Sequence, residues 1–319
     1  MRRKQLLQLG FVAGLVMCLW APTGFAGDLD VGVTSNGRAG TPTTEGGTSG
    51  CAQNPDNTFC WMSPDIGEAW ASGYTGSGVS VTIVDDFTGG MEQVGDLGHG
   101  PQRRRHGQWV AEVARMVAPG AKINELDYVE PVPFALEDGL NVINLSYALE
   151  DPVSEYPLEQ SIVDAARAGA AVFTKAAGNT AVAVGTPTDG TVDFLALDLI
   201  GAPSTIFVGA LEHNGTPENK AKLASYSNYA GSDLEVQNHF LTVGVESDKI
   251  QLSGTSVATP MIAGYAAILG SKFTSATPIQ ITNQLLDTAR TDTLVNYDPA
   301  TYGRGEASLS RALAPVSIE

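Results

Sequence analysis

Ser256 lies in the stretch Gly254-Thr255-Ser256-Val257-Ala258-Thr259-Pro260, and the small, apolar run Met261 to Gly270 behind it reads as a helix buried in a core. A helix N-terminus favours developing negative charge, and Gly254 lets a substrate backbone come close, so a hydroxyl here has the surroundings of a nucleophile. Alone, such a start reads more readily as an ordinary capped core helix. A nucleophilic serine also needs a base, a carboxylate to orient that base, and donors for an oxyanion. Three other stretches offer them. Val79 to Val84 reads as a buried strand with Asp85 directly after it, the carboxylate candidate. His106 opens the amphipathic run His106 to Ala114 and is the base candidate. Ala171 to Ala177 reads as a strand entering the turn Gly178-Asn179, whose amide is the oxyanion-donor candidate beside the Ser256 backbone N–H. Asp86 and His99 compete for the first two roles. Asp86 does not directly follow the apolar run, and His99-Gly100 lacks a helix start behind it. His213 and His239 belong to no such constellation.

The set resembles the subtilisin-like serine proteases, the subtilases. Their chain order is Asp, His, Ser, and the motifs stand here as Asp85 after its strand, His106-Gly107 with Val110-Ala111, Ala177-Gly178-Asn179, and Gly254-Thr255-Ser256 with Ala258 and Pro260. Val142-Ile143-Asn144-Leu145-Ser146 resembles the strand beside the family's primary specificity pocket. Ala224 to Tyr229 and Tyr302-Gly303-Arg304-Gly305 resemble two later turns. The likeness runs from about Trp61 to Ala314. It implies a three-layer α/β/α fold with a mostly parallel central sheet, and endopeptidase chemistry by Asp85, His106 and Ser256. Asn179 and Ser256 would form the oxyanion hole, and Ser146, Tyr147, Ala148, Ala177 and Gly178 would bind substrate. Two other uses fit the same residues: an acyl-transferase or esterase working through the same triad, and an inactive subtilase-fold protein that binds peptides.

These groups must be positioned by alternating strands and helices. Strands are expected at Lys122–Tyr128, Val142–Leu145, Val172–Lys175 and Thr205–Val208. Helices are expected at Ser63–Trp70, Leu158–Ala168, after Ser256, and from Pro278 to Thr288. This alternation predicts a parallel sheet covered on both faces, with ligands at the C-terminal ends of the strands.

Met1-Arg2-Arg3-Lys4, the apolar run Leu6–Trp20 and Gly24-Phe25-Ala26 read as a signal peptide over residues 1–26, and the paired arginines also admit twin-arginine export. The expected location is therefore secreted or periplasmic, with no membrane contact after signal removal. Residues 27–60 read as a Gly/Thr-rich arm and 61–319 as the peptidase domain. In an exported chain Cys51 and Cys60 read as a disulfide. The formal net charge of −17 becomes −20 once Arg2, Arg3 and Lys4 are removed, which makes nucleic acid an improbable partner.

Several features depart from the family. The arm is too short and polar to fold as the inhibitory segment that many secreted subtilases carry, so a separate inhibitor or folding partner is admitted. No organic cofactor is required. Structural calcium is compatible with the family, and no metal ligands are assigned. Gln108 and Trp109 replace a Thr and a second His after His-Gly. Arg103-Arg104-Arg105 could depress the pKa of His106, bind an acidic substrate group, or form a solvated loop. Between Tyr128 and Val142 only a short helical stretch, around Pro133 to Glu137, is expected, so the edge that pairs with substrate looks trimmed. Tyr147 would narrow the cleft or stack on a substrate side chain.

Overall fold

The structure is a computed structural model, and it describes residue 51, residues 53–129 and residues 133–318. The proposed signal peptide and most of the arm lie outside them. In chain order the elements are α1 (Pro64–Ala71), β1 (Val79–Asp85), β2 (Gln93–Gly95), β3 (Gln102–Arg104), α2 (His106–Val117), β4 (Lys122–Asp127), β5 (Leu140–Leu145), α3 (Pro157–Arg167), β6 (Val172–Ala176), α4 (Phe194–Leu199), β7 (Thr205–Leu211), α5 (Leu234–Asn238), β8 (Phe240–Gly244), α6 (Ser247–Ile250), α7 (Thr255–Lys272), α8 (Pro278–Asp287), α9 (Pro299–Tyr302) and α10 (Leu309–Leu313).

The main sheet runs β4-β1-β5-β6-β7-β8, with every neighbouring pair parallel. Apart from the edge strand β4, which is polar and partly exposed, its strands are buried on both faces, as a sheet covered by helices on each side requires. Side chains alternate between two cores. Val81, Ile83, Val142, Val172, Ile206 and Val208 pack with α2 and α7, while Val84, Ile143, Leu145, Phe173 and Phe207 pack with α3 and α4. The three-layer expectation holds.

Helix α7 is the central element on its face. From Val257 to Gly270 every residue is buried, so it has no polar side to offer water. Helix α2 lies against it and turns Trp109, Val110, Val113, Ala114 and Val117 inward at helical spacing. Residues β2 and β3 contribute pair as an antiparallel hairpin just ahead of α2, with Val94 opposite Arg103.

Two expectations are corrected. Residues 133–139 hold no helix. Glu137 instead lays this segment across the sheet edge, accepting hydrogen bonds from Ser80 (2.6 Å), Asn124 (3.2 Å) and Lys122. The end of the arm also belongs to the domain. Cys51 and Cys60 are bonded to each other, Cys51 and Phe59 are buried in the α7-side core, and Asn54 and Thr58 close the intervening loop. A ten-residue ring closed by a disulfide leaves its apolar members close enough to the domain to be drawn into it.

Candidate active site

The C-terminal ends of β1, β5 and β6 bring the sequence-selected residues together around the start of α7. Asp85 is the last residue of β1 and is 1% exposed. Its Oδ1 accepts from the Asp86 backbone N–H at 2.7 Å and faces His106 Nδ1 at 2.6 Å. His106 is the first residue of α2, and the next position explains how helix and strand end come so close. A Cβ at Gly107 would lie 2.7 Å from Asp86 O and 3.1 Å from Asp85 Cβ. Instead the Gly107 N–H donates to Asp86 O at 3.0 Å.

Burial alone would lower the His106 pKa. The negative charge of Asp85, its hydrogen bond and the charge of Asp86 outweigh that, so the net direction is upward. Of the readings open for Arg103-Arg104-Arg105, depression of this pKa is not the one found, and the reason is structural. Arg104 stacks over Trp109 and pairs with Glu112, and Arg105 donates to the carbonyls of Gly89 and Gly90. The other histidines stand elsewhere. His99 packs edge-on against Phe59, and His213 and His239 each face a backbone carbonyl.

Ser256 is the second residue of α7 and lines one small cleft with His106, Gln93, Trp109, Leu252 and Val257. Gly254 precedes the helix at φ 115°, a conformation that favours glycine. In this conformation the Ser256 hydroxyl donates to Ser146 O, and Ser146 Oγ donates to Ser256 O, both at 3.2 Å. The second contact has a cause in the sequence. Four residues on, Pro260 has no N–H to give the Ser256 carbonyl, so that carbonyl is free to accept from Ser146. Ser146 Oγ is in turn held by Asn144 Nδ2 at 3.0 Å.

Asn179 Oδ1 accepts from the Thr255 N–H (2.9 Å) and hydroxyl (3.1 Å). That leaves its NH₂ group uncommitted at the helix start where Ser256 stands. Ala177 and Gly178 are fixed by Asn228, whose Nδ2 donates to Ala177 O and whose N–H donates to Gly178 O, both at 2.9 Å. Gly178 N–H donates to Thr255 Oγ1 at 3.2 Å. On the facing segment Ala148 is exposed. Tyr147 is turned sideways: its ring is 5.2 Å from that of Tyr128 and its hydroxyl donates to Glu159 at 3.0 Å. Burial and then Glu159 push the Tyr147 pKa up. Tyr128 is pushed up to about 12 by burial and by Asp86, Asp85 and Asp127.

Sequence reasoning missed the polar groups that brace these segments: Asn144, Asn228, Lys175 and Asp193. A lysine inside the apolar run Ala171–Ala177 was the one visible signal. Among the described residues, no group of three or more His, Cys, Asp or Glu side chains is arranged to hold a metal ion.

A buried carboxylate on an imidazole, a helix-start hydroxyl in the same cleft and a free amide beside it can support acyl transfer through a serine. The arrangement on a parallel α/β sheet defines a class that comparison makes specific. The subtilase family model matches residues 104–305, and the chain belongs to that family and with it to the serine endopeptidases. Subtilisin DY of Bacillus licheniformis is 29% identical over 281 residues, 76% of this chain and 93% of that protein. Subtilisin E of Bacillus subtilis strain 168 is 28% identical over 258 residues, 69% of this chain and 62% of its own length. Among solved structures, the MycP3 protease of the type VII (ESX-3) secretion system superimposes with a TM-score of 0.53 at 20% identity, over 84% of this chain and 90% of that one. The prenylagaramide maturation protease PagA gives 0.53 at 19% identity, over 79% and 98%. These two likenesses concern the fold.

Proposed function

We propose that this protein is an exported serine endopeptidase in which Ser256, His106 and Asp85 cleave peptide bonds through an acyl-enzyme. The observation that carries the reading is the 2.6 Å contact between His106 Nδ1 and the buried Asp85 carboxylate, with His106 and Ser256 lining one cleft. Asp85 fixes the imidazole tautomer with Nδ1 protonated, so Nε2 is the basic nitrogen. The Ser256 hydroxyl leaves Ser146 O, gives its proton to Nε2 and attacks the scissile carbonyl. Asn179 Nδ2 and the Ser256 N–H hold the oxyanion, where a single donor contributes about 10²–10³ in rate. Imidazolium then protonates the leaving amine, and water repeats the sequence on the ester. Asp85 and Asp86 together stabilise that imidazolium.

Because His106 delivers the proton to the amine, the leaving chain departs on the side of His106, Trp109 and Leu252. The acyl side, with the P1 residue, lies between Ser146–Ala148 and Ala177–Asn179. No organic cofactor takes part, as for subtilases in general. Calcium, common in the family, enters no step. Export rests on the first 26 residues and on a disulfide that an oxidising compartment would preserve.

The test is intact mass after treatment with a fluorophosphonate, beside Ser256→Ala. One adduct on the wild type, absent from the variant, is expected. A folded wild type that takes no adduct would sink the reading.

A further inference from the structure

Strand β6 contains a residue that its surroundings should reject. Every position from Val172 to Ala176 is buried, and lysine is almost never fully buried unless paired. Yet the Lys175 side chain is 1% exposed. Its ammonium has three donors and three partners: Tyr147 O at 2.7 Å, Ala176 O at 3.0 Å and Asp193 Oδ2 at 2.6 Å. Asp193 caps α4 through Oδ1, which accepts from Ala196 N–H at 3.2 Å and also from Leu149 N–H at 3.1 Å. The next residue closes the contact, Phe194 N–H donating to Leu149 O at 2.8 Å.

These bonds sit at a fork. β5 and β6 pair as far as Leu145 opposite Lys175, and beyond that register the chains continue as Ser146–Leu149 and Ala176–Asn179. One ammonium ties a carbonyl of each branch just past the last ladder pair, and the carboxylate that neutralises it holds Leu149 further along. Apolar packing would tolerate a change of width here. The ion pair does not: Asp193 keeps 20% of its side chain exposed, but stretching the pair strands the Lys175 ammonium without solvent.

We propose that the Lys175–Asp193 ion pair is the positioning device of the acyl-side subsite: it holds the fork narrow, so that small P1 side chains are cleaved in preference to large aromatic ones. The inference rests on the assignment of Ser256 and Asn179 made above. Neither Lys175 nor Asp193 touches the reacting atoms; both act through the two branches.

The test compares peptides identical except for Ala, Leu or Phe at P1, on wild type, Asp193→Asn and the double variant Lys175→Met/Asp193→Asn. Asp193→Asn keeps an acceptor for Leu149 and Ala196 while removing the charge. The double variant removes both charges and remains foldable where a single change leaves one stranded. Active sites are counted with a small fluorophosphonate. The wild type is expected to favour Ala over Phe in kcat/KM by at least about tenfold, and the variants to reduce that ratio by about tenfold, mostly through a lower KM for Phe. Labelling should stay within about threefold of wild type, a range set by the same scale of pocket effects. Normal labelling with an unchanged Ala-to-Phe ratio would overturn the proposal, and a lowered Tm alone would then reduce the pair to a fold stabiliser. Wild type that resists labelling would instead refute the assignment of Ser256, and the subsite with it.

Discussion

The segment Ala177–Asn179 is held by neutral groups. Asn228 takes up Ala177 O with its NH₂ and accepts the N–H groups of Thr180 and Val182 on its Oδ1, while Thr255 joins Gly178 to Asn179. The facing segment Tyr147–Leu149 is held by ionisable groups: Lys175 on Tyr147 O, Asp193 on Leu149 N–H, and Glu159 on the Tyr147 hydroxyl. The difference bears on how each wall fails. Neutral bonds are lost one at a time, each leaving a buried group unpaired at about 1–3 kcal/mol. In the ion pair Lys175 is 1% exposed and Asp193 20%, so removing Asp193 costs about 3–5 kcal/mol because the buried Lys175 charge stays behind.

The largest expected effect falls on the neutral wall and is kinetic. Asn179→Ala should lower kcat by about 10²–10³ with little change in KM, since its NH₂ would act only once charge develops on the scissile carbonyl. Steady-state kinetics on a peptide anilide measures this. A change confined to KM would move Asn179 from the oxyanion to ground-state binding.

On stability the order should reverse. In urea unfolding, Asp193→Asn, which strands the buried Lys175 ammonium, should cost about 3–5 kcal/mol, and Lys175→Met/Asp193→Asn, which keeps an acceptor for Leu149 and Ala196, should recover much of it. Thr255→Val, which leaves the Gly178 N–H unpaired, should cost less, about 1–3 kcal/mol. An Asp193→Asn variant no worse than Thr255→Val would erase the contrast between the walls.

The two walls were also unequally legible in the sequence. Asn179 and Ser256 announce themselves through short motifs, because a turn or a helix start is a local structure with local requirements. The parallel sheet was legible for the same reason, in apolar runs of strand length separated by helical periodicity. Lys175 and Asp193 are linked only through the fold: they lie on β6 and at the cap of α4, and neither the apolar run around Lys175 nor the polar stretch before Asp193 implies the other. The helix expected at 133–137 failed similarly. Composition permitted a turn of helix, but Glu137 finds Ser80, Lys122 and Asn124 on strands that sequence distance hides. Long-range polar pairing is what single-sequence reading misses here.

A smaller effect separates Asp86 from Asp85. With the His106 pKa raised, the neutral base is lost as pH falls through that raised value, so the acid limb of kcat/KM should lie above the ordinary histidine value of about 6.5. Asp86→Asn removes one of the causes and should move the limb to lower pH while leaving kcat at its plateau nearly unchanged. An unmoved limb would leave Asp85 alone responsible.

The smallest effect concerns the hydroxyl of Tyr147, and its sign can be worked out. Glu159 is buried, and burial pushes its carboxyl above the usual range, opposed by its own backbone N–H and by the Tyr147 hydroxyl. Below the ordinary carboxylate pKa both folded and unfolded chains hold the proton, and Glu159 imposes no penalty. As pH rises from there, the unfolded chain releases its proton first, so stability falls until the folded pKa is passed and is then level. Tyr147→Phe deletes the hydroxyl that favours the charged form, which extends the fall to higher pH and lowers stability near neutrality by about 0.5–1.5 kcal/mol. Glu159→Gln removes this contribution to the slope. Urea midpoints of wild type and both variants, taken from the ordinary carboxylate range to neutrality, should therefore diverge as pH rises and converge at the acid end. Parallel curves would mean that the Tyr147–Glu159 contact is packing alone, and that the charged character of this wall resides wholly in Lys175 and Asp193.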